Sequence, residues 1–354
     1  MNGATKLALT PLSVVYGLGV RMRNALYRRG ILRTLEVDAP VISVGNLTVG
    51  GTGKTPLVEW IAGQLAQSGL RVAVLTRGYG RNSSGRVVVS DGSMIRSNVD
   101  ESGDEPFLLA QNLNGRAAVI SDANRVAAAS WAIDNLKTEV FILDDAFQHQ
   151  SIRRDLNILT IDATNPWGNR SLLPKGRLRE PITELSRADC VMITRANDSD
   201  QIDELRSEIE SRRPGLPTFI SSIEFAGLQK LDGTNSSPEI NAFSAKPVAA
   251  FCGIGNPESF FSLLRGAGCQ LKDTSAFRDH HKYTQADIDR LVNHAAHNGA
   301  EAILTTAKDA VKLKLLSFTL PCYVVNIAMN IEGEERFLDH IIRAVDARRP
   351  QKSS

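Results

Sequence analysis

Apolar and polar positions fall into two kinds of block along this chain. Short apolar runs, Val41 to Val44, Arg71 to Thr76, Ala117 to Ser121, Val140 to Asp144, Leu156 to Asp162 and Asp189 to Thr194, read as buried strands. Between them lie longer stretches with helical spacing, Leu57 to Leu65, Asp122 to Asn135 and Asp200 to Arg212. Strands alternating with helices predict an α/β fold around a parallel sheet. After a strand at Thr218 to Ser222, the composition shifts to Gly, Asn, Ser and Pro from Gly227 to Ser244, as at a domain junction. The alternation then resumes. Strands are expected at Pro247 to Cys252, Ala302 to Thr305 and Cys322 to Asn326. Helices are expected at Pro257 to Gly266, Thr284 to Asn298, Asp309 to Leu315 and from Glu334 onward. The pattern predicts an N-terminal helix over residues 1–33, a larger domain over 34–226 and a smaller α/β domain over 227–354.

The first helix has a pattern of its own. Thr10-Pro11 reads as a helix start, and Leu12, Val15, Leu18, Met22 and Leu26 follow at spacings of three and four. Arg21, Arg23, Arg28, Arg29 and Arg33 cluster toward its end. The low-charge run from Leu7 to Val20 has 14 residues, short of the roughly 20 a membrane span needs. No small-residue cleavage site follows it, which argues against a secretory signal. Two readings stand: a helix lying in an anionic membrane interface, or a first helix packed on the protein's own core.

Bulk numbers narrow the rest. A chain of 354 residues can bury a large core in two domains. A net charge of +2 gives no global argument for nucleic acid, and no protein partner is evident. Cys190, Cys252, Cys269 and Cys322 are far apart, which argues against structural zinc and for a reducing compartment.

The chemistry begins at Val41-Ile-Ser-Val-Gly-Asn-Leu-Thr-Val-Gly-Gly-Thr-Gly-Lys-Thr-Pro56. Strand, glycine turn, Lys-Thr and helix are the parts of a phosphate-binding P-loop. Glycines let backbone N–H groups turn inward around phosphate oxygens, and the helix N-terminus adds free donors. The candidate nucleotide loop is Thr48, Val49, Gly50, Gly51, Thr52, Gly53, Lys54 and Thr55. Thr48 stands where the usual motif has its first glycine. Lys54 suits the β- and γ-phosphates, and Thr55 suits Mg²⁺.

Other stretches leave alternatives open. The strand ending in Asp144-Asp145 fits a Walker B tip that holds Mg²⁺, or a solvated turn. Asp104, in Gly103-Asp-Glu-Pro106, reads as a helix cap or as a carboxylate that accepts a hydroxyl proton. Arg77, in Arg77-Gly-Tyr-Gly80, and Arg177 and Arg179, in the long loop from Asn165 to Pro181, are candidate phosphate ligands or solvated charges. Arg195-Ala-Asn197 resembles a guanine-reading loop, but Asn197 stands where an Asp is needed. In Asp279-His-His-Lys282, a histidine fits a base, a metal ligand or a cap. Thr305-Thr-Ala-Lys-Asp309 fits an anion-holding corner or an ordinary turn.

Taken together, these blocks resemble the tetraacyldisaccharide 4'-kinase family. The P-loop with Thr48, Arg77-Gly-Tyr-Gly80, Gly103-Asp-Glu-Pro106, Asp144-Asp145 with Phe147-Gln-His149, Leu178-Arg-Glu-Pro181, Asp279-His280 and Lys308-Asp309 arrive in the family's order. Ala146 departs from it, because a glycine is usual there, and puts a tight turn in question. The resemblance implies transfer of the ATP γ-phosphate to the 4'-hydroxyl of a lipid-linked disaccharide 1-phosphate, giving lipid IVA. It implies work at the cytoplasmic face of the inner membrane, with the first helix at the lipid interface. It implies Asp104 as catalytic aspartate paired with His280, and Mg²⁺ organised by Thr55, Asp144 and Asp145. Arg77, Arg177 and Arg179 are then candidates for the acceptor's 1-phosphate. Rival readings are a P-loop NTPase that drives a partner protein and a membrane-associated nucleotide-binding adaptor.

Overall fold

The computed structural model describes residues 9–232 and 246–349. Leu7, and the stretch of the expected junction from 233 to 244, lie outside the described residues. The chain opens with α1 (Thr10–Arg28), followed by β1 (Val41–Gly45), α2 (Lys54–Gln67), β2 (Val72–Thr76) and β3 (Val87–Asp91). Next come α3 (Val99–Ser102), α4 (Asp104–Asn112), β4 (Ala117–Ser121), α5 (Arg125–Leu136), β5 (Val140–Asp144) and β6 (Leu156–Asp162). A long loop leads to β7 (Cys190–Thr194), α6 (Ile202–Arg212) and β8 (Thr218–Lys230). The second lobe contains β9 (Pro247–Cys252), α7 (Pro257–Gly266), β10 (Gln270–Ala276), α8 (Gln285–His297), β11 (Ala302–Thr306), α9 (Ala307–Ala310) and β12 (Cys322–Ile331). The described chain ends in α10 (Glu334–Arg348).

Among the described residues one sheet of twelve strands runs β10-β9-β11-β12-β8-β7-β6-β1-β5-β2-β4-β3. From β4 to β8 the ladder is parallel, with β3 antiparallel at the edge. β1 and β5 are fully buried neighbours, with Val44 in register with Asp144. The P-loop and the Asp144 tip therefore leave the same end of adjacent strands, where open α/β sheets place their ligands.

The two lobes share that sheet. The first residues of β8 pair in parallel with β7, and Ser221 to Lys230 pair antiparallel with β12. The expected boundary between 226 and 227 thus falls inside a strand. Both strands run past their expected ends at Ser222 and Asn326. Their alternating exposure in this stretch hides them from a search for apolar runs. β3 and β10 were not foreseen; β10 is a polar edge strand whose exposure alternates. The helix expected over Asp309 to Leu315 is a single turn, α9. α10 does not stay with the second lobe: Phe337, Ile341 and Val345 pack with Leu57, Ile61, Leu65 and Ile42 of the first.

α1 packs with its apolar stripe outward. Leu12, Val15, Leu18 and Met22 are 57, 67, 59 and 65 % exposed, while Ser13, Gly17 and Asn24 are buried. A helix whose small and polar face meets the protein leaves its hydrophobic face for another medium. No helix among the described residues is long and apolar enough to cross a membrane.

Candidate active site

A cleft of about 840 Å³ opens at the carboxyl ends of β1 and β5. Val49 to Thr55, Arg77, Asp144, Asp145, Arg179 and His280 all line it. Thr48 and Arg177 do not. They line an adjoining hollow of about 440 Å³ on the other side of the loop.

The loop is held by its own backbone and by neighbouring strands. Gly53 ends it at φ 72°, in the left-handed region, immediately before α2 begins at Lys54. Thr52 hydrogen-bonds Thr160 Oγ1 at 2.9 Å, and Thr194 Oγ1 donates to the Thr52 carbonyl at 2.9 Å. Val49 N donates to the Arg177 carbonyl at 2.8 Å, so the long Arg-rich loop braces the P-loop from outside. Arg195 donates to the Gly51 carbonyl at 2.7 Å and also pairs with Asp162. Gly255 of the second lobe lies against the loop: a Cβ there would come within 2.6 Å of Gly51 N.

Lys54 Nζ is 3.5 Å from Asp145 Oδ1, and Arg179 donates to both Asp145 oxygens at 2.9 and 2.8 Å. Burial pushes Asp145 up, but Lys54 and Arg179 outweigh it and hold its carboxyl below the usual range. Asp144 is different. Burial, then the Glu105 and Asp145 charges, raise it to about 7 against the pull of Lys54 and Arg125. Its Oδ1 is buried without a hydrogen-bond partner. Asp145 takes φ 48°, whereas Ala146 has no positive φ, so the alanine fits where the family has glycine.

These groups suit Mg²⁺. An orphaned buried carboxylate oxygen beside a second carboxylate, in a cleft that Thr55 also lines, is an oxygen donor set for a hard cation. Among the described residues no group of three or more His, Cys, Asp or Glu converges as a metal site.

The cleft wall is strongly positive near Arg77. Arg125 is nearly buried and brought down to about 10 by burial, with Arg77 adding to the shift against the pull of Asp144. Burial, then Arg125, Arg154, Arg77 and Arg23, drive His149 down to about 4. A corner of the cleft that disfavours a proton on His149 and crowds guanidinium groups together suits anions.

The opposite wall joins the lobes. Asp104 is the first residue of α4, after an N-cap Gly103 that has no side chain, and it is 9 % exposed. His280 Nδ1 lies 3.1 and 2.9 Å from its two oxygens. Lys312 Nζ stands 3.8 Å from Asp104 Oδ2. Burial raises the Asp104 carboxyl, but the His280 hydrogen bond, Lys308 and Lys312 bring it below its ordinary value. That same bond raises His280. His280 is also a non-glycine residue at φ 60°, a conformation that persists where contacts over-determine it. His281 turns away, stacked on Phe277 at 4.8 Å and 3.3 Å from Asp287.

Several groups escaped the sequence reading. Arg125 sits in an unremarkable helix start, and only its burial marks it. Glu105 and Lys308 lie inside motifs that were singled out, but their contact spans 203 positions in sequence. Arg195 stood in a loop weighed for base reading, and it holds the P-loop backbone instead.

Residues 5–346 match the profile of the LpxK family, described as tetraacyldisaccharide-1-P 4'-kinase. The chain belongs to the LpxK family. It is 43% identical over 306 residues to the tetraacyldisaccharide 4'-kinase of Geobacter metallireducens, covering 86% of this chain and 88% of that one. It is 36% identical over 343 residues to that of Halothermothrix orenii, covering 92% and 89%. A crystal structure of LpxK from Aquifex aeolicus in complex with ATP matches with a TM-score of 0.76 at 33% identity, over 96% of this chain and 99% of that one. The LpxK fold thus extends through both lobes and the sheet that joins them.

Proposed function

We propose that this LpxK family member is an ATP-dependent kinase. It transfers the γ-phosphate to the 4'-hydroxyl of a tetraacyldisaccharide 1-phosphate and so forms lipid IVA in lipid A biosynthesis. The observation that carries this reading is the Asp104–His280 pair across the lobes: His280 lines the cleft that also contains Lys54, Asp144 and Asp145, and Asp104 is hydrogen-bonded to it just behind the lining. A water-using NTPase needs no such pair on its acceptor side.

In the mechanism, backbone N–H groups of Gly50 to Thr55 and the Lys54 ammonium hold the phosphates. Thr55, Asp144 and Asp145 are the residues that would hold Mg²⁺, which when bound neutralises phosphate charge. Asp104, oriented by His280, accepts the proton of the 4'-hydroxyl as its oxygen bonds to the γ-phosphorus. The bond to the β-phosphate bridging oxygen breaks and ADP leaves. Each Asp104 oxygen has lone pairs beyond those shared with His280, so it retains the capacity to accept. Positioning and charge neutralisation supply most of the acceleration. Arg77 faces the cleft and is the arginine best placed for the acceptor's 1-phosphate. Arg179 is engaged with Asp145, and Arg177 borders the adjoining hollow, so both support the P-loop side.

The lipid end of the acceptor fits the outward stripe of α1. We read α1 as lying in the cytoplasmic face of the inner membrane, with its arginines toward anionic headgroups. α1 is tied to the chemistry: Tyr16 Oη donates to the Arg179 carbonyl at 2.9 Å, and Arg23 and Asn24 donate to buried Glu180 at 2.6 and 3.1 Å. We retain the larger and smaller lobes as functional units, with α10 assigned to the P-loop lobe.

Labelled ATP with and without the disaccharide acceptor in detergent micelles tests the reading. Label should move to the acceptor. Free phosphate released equally in both reactions would favour an NTPase, and nucleotide binding without either product an adaptor.

A further inference from the structure

Lys308 stands where the two lobes meet. It lies in α9, directly after β11, and its side chain reaches α4. Nζ donates to Glu105 Oε1 at 2.8 Å and to Asp279 Oδ1 at 3.1 Å. It also lies 3.5 Å from His280 Nε2. The other ring nitrogen, Nδ1, faces Asp104. An ammonium has only donors, so the nitrogen facing it presents a lone pair. A carboxylate has only acceptors, so the nitrogen facing it carries the proton.

We propose that Lys308 is a positioning residue for phosphoryl transfer: it fixes His280 as the Nδ1–H tautomer and keeps a proton off Nε2. The inference rests on the reading of Asp104 as the base. Its necessity comes from the neighbours. Nε2 is 4.0 Å from Glu105 Oε1 and 3.9 Å from Asp279 Oδ1. Two unneutralised carboxylates at that range would draw a second proton onto the ring. Lys308 bonds both of them and supplies the opposing charge.

The groups facing His280 are few. α4 contributes Asp104 and Glu105, and its own loop contributes Asp279. Lys308 of α9 faces it directly, and Lys312, one turn further on, faces Asp104 behind it. The Tyr79 ring lies 5.7 Å away, centroid to centroid. Asp104 raises the His280 pKa and Lys308 opposes that rise. The consequence for catalysis is direct. An imidazolium would grip Asp104 as an ion pair and weaken it as a base. A neutral Nδ1–H ring orients the carboxylate and leaves its basicity.

The test uses the full-length protein labelled with ¹⁵N-histidine, with the His280 resonances assigned by their loss in His280→Gln. Above its titration midpoint, wild-type His280 should be the Nδ1–H tautomer. In Lys308→Met the midpoint should rise by about one pH unit, with Nε2–H signal appearing. The acid limb of the kcat profile should rise with it. Lys308→Arg, also a pure donor, should restore both. A Lys308→Met ring that titrates and tautomerises like wild type overturns the proposal, even if turnover falls. So does an Nε2–H ring in the wild-type protein, a result that stands if the Met variant fails to fold. The spectra require no turnover, so a failure to phosphorylate acceptor would sink the kinase reading and leave this one to its own measurement.

Discussion

Asp104 shows how a residue's role is set by partners the local sequence does not contain. Its neighbours Gly103, Glu105 and Pro106 are those of a helix start, and as a cap it would be ordinary. The histidine that orients it comes from 176 positions away, and Lys312 from farther still. The His280 hydrogen bond and the Lys308 and Lys312 ammonium groups favour the ionised form of a nearly buried carboxylate, which is the state a proton acceptor needs. The P-loop was legible because its chemistry is contiguous: glycines, Lys54 and Thr55 act from one stretch of backbone. The contact between Asp104 and His280 was expected only through the resemblance, because its parts meet by folding alone. The Asp104→Ala variant should lose about 10²- to 10⁴-fold in kcat, with ATP KM nearly unchanged. Steady-state kinetics with lipid acceptor checks this, and near-normal turnover would remove Asp104 from the proton-accepting role.

Among the elements, α1 was half legible. Its stripe of Leu12, Val15, Leu18 and Met22 stands out in the sequence, but periodicity does not say which face meets the protein. Docking is done by residues that pattern reading assigns to solvent. Ser13 Oγ donates to the Leu172 carbonyl at 2.9 Å, Gly17 lets the Leu172 side chain approach, and buried Asn24 bonds Glu180. Small and polar groups permit close approach and satisfy the loop's carbonyls, leaving the apolar face free. The double substitution Leu18→Asp and Met22→Asp should therefore weaken co-sedimentation with anionic vesicles by more than about tenfold, since burying each side chain contributes about 1.5–3 kcal/mol. The thermal unfolding midpoint should stay within about 2 °C of wild type, because surface changes of this kind cost little. Undiminished vesicle binding would remove the α1 stripe as the proposed membrane contact. The strands teach a related lesson: Pro247 to Cys252 and Leu156 to Asp162 were read at their observed bounds because both faces are covered. β8 and β12 were cut short where their side chains alternate between core and water.

At the scale of the molecule, the lobes are joined by a titrating contact and by a continuous sheet, and each makes a prediction. Asp104 is held below its ordinary pKa, so its contribution is present above about pH 4 and lost as pH falls through the folded value. His280 is held above its own, so its contribution is full below about pH 6.5 and lost as pH rises through the folded value. The stability difference between wild type and His280→Ala should accordingly be largest between about pH 4 and 6.5 and shrink above it; a difference that grows with pH contradicts the ion pair. The sheet makes the stronger claim. Phe337 of α10 is fully buried, 4.8 Å from the Phe219 ring and 5.5 Å from Trp60, centroid to centroid. A residue beyond the second lobe in sequence thus completes the core of the first, and β8 belongs to both ladders. Neither lobe can unfold without exposing the other's buried surface, so the chain should denature as one unit. Two sets of probes separate the lobes. Trp60, Trp131 and Trp167 all lie in the first, and with first-lobe Cys190 replaced by Ser the remaining buried thiols, Cys252, Cys269 and Cys322, all lie in the second. In urea, tryptophan fluorescence and thiol labelling should report one coincident transition. Phe337→Ala should lower both midpoints together, at a cost of about 3–5 kcal/mol. If only the fluorescence transition moves while the thiols stay protected, the lobes are independent and the shared sheet does not couple them.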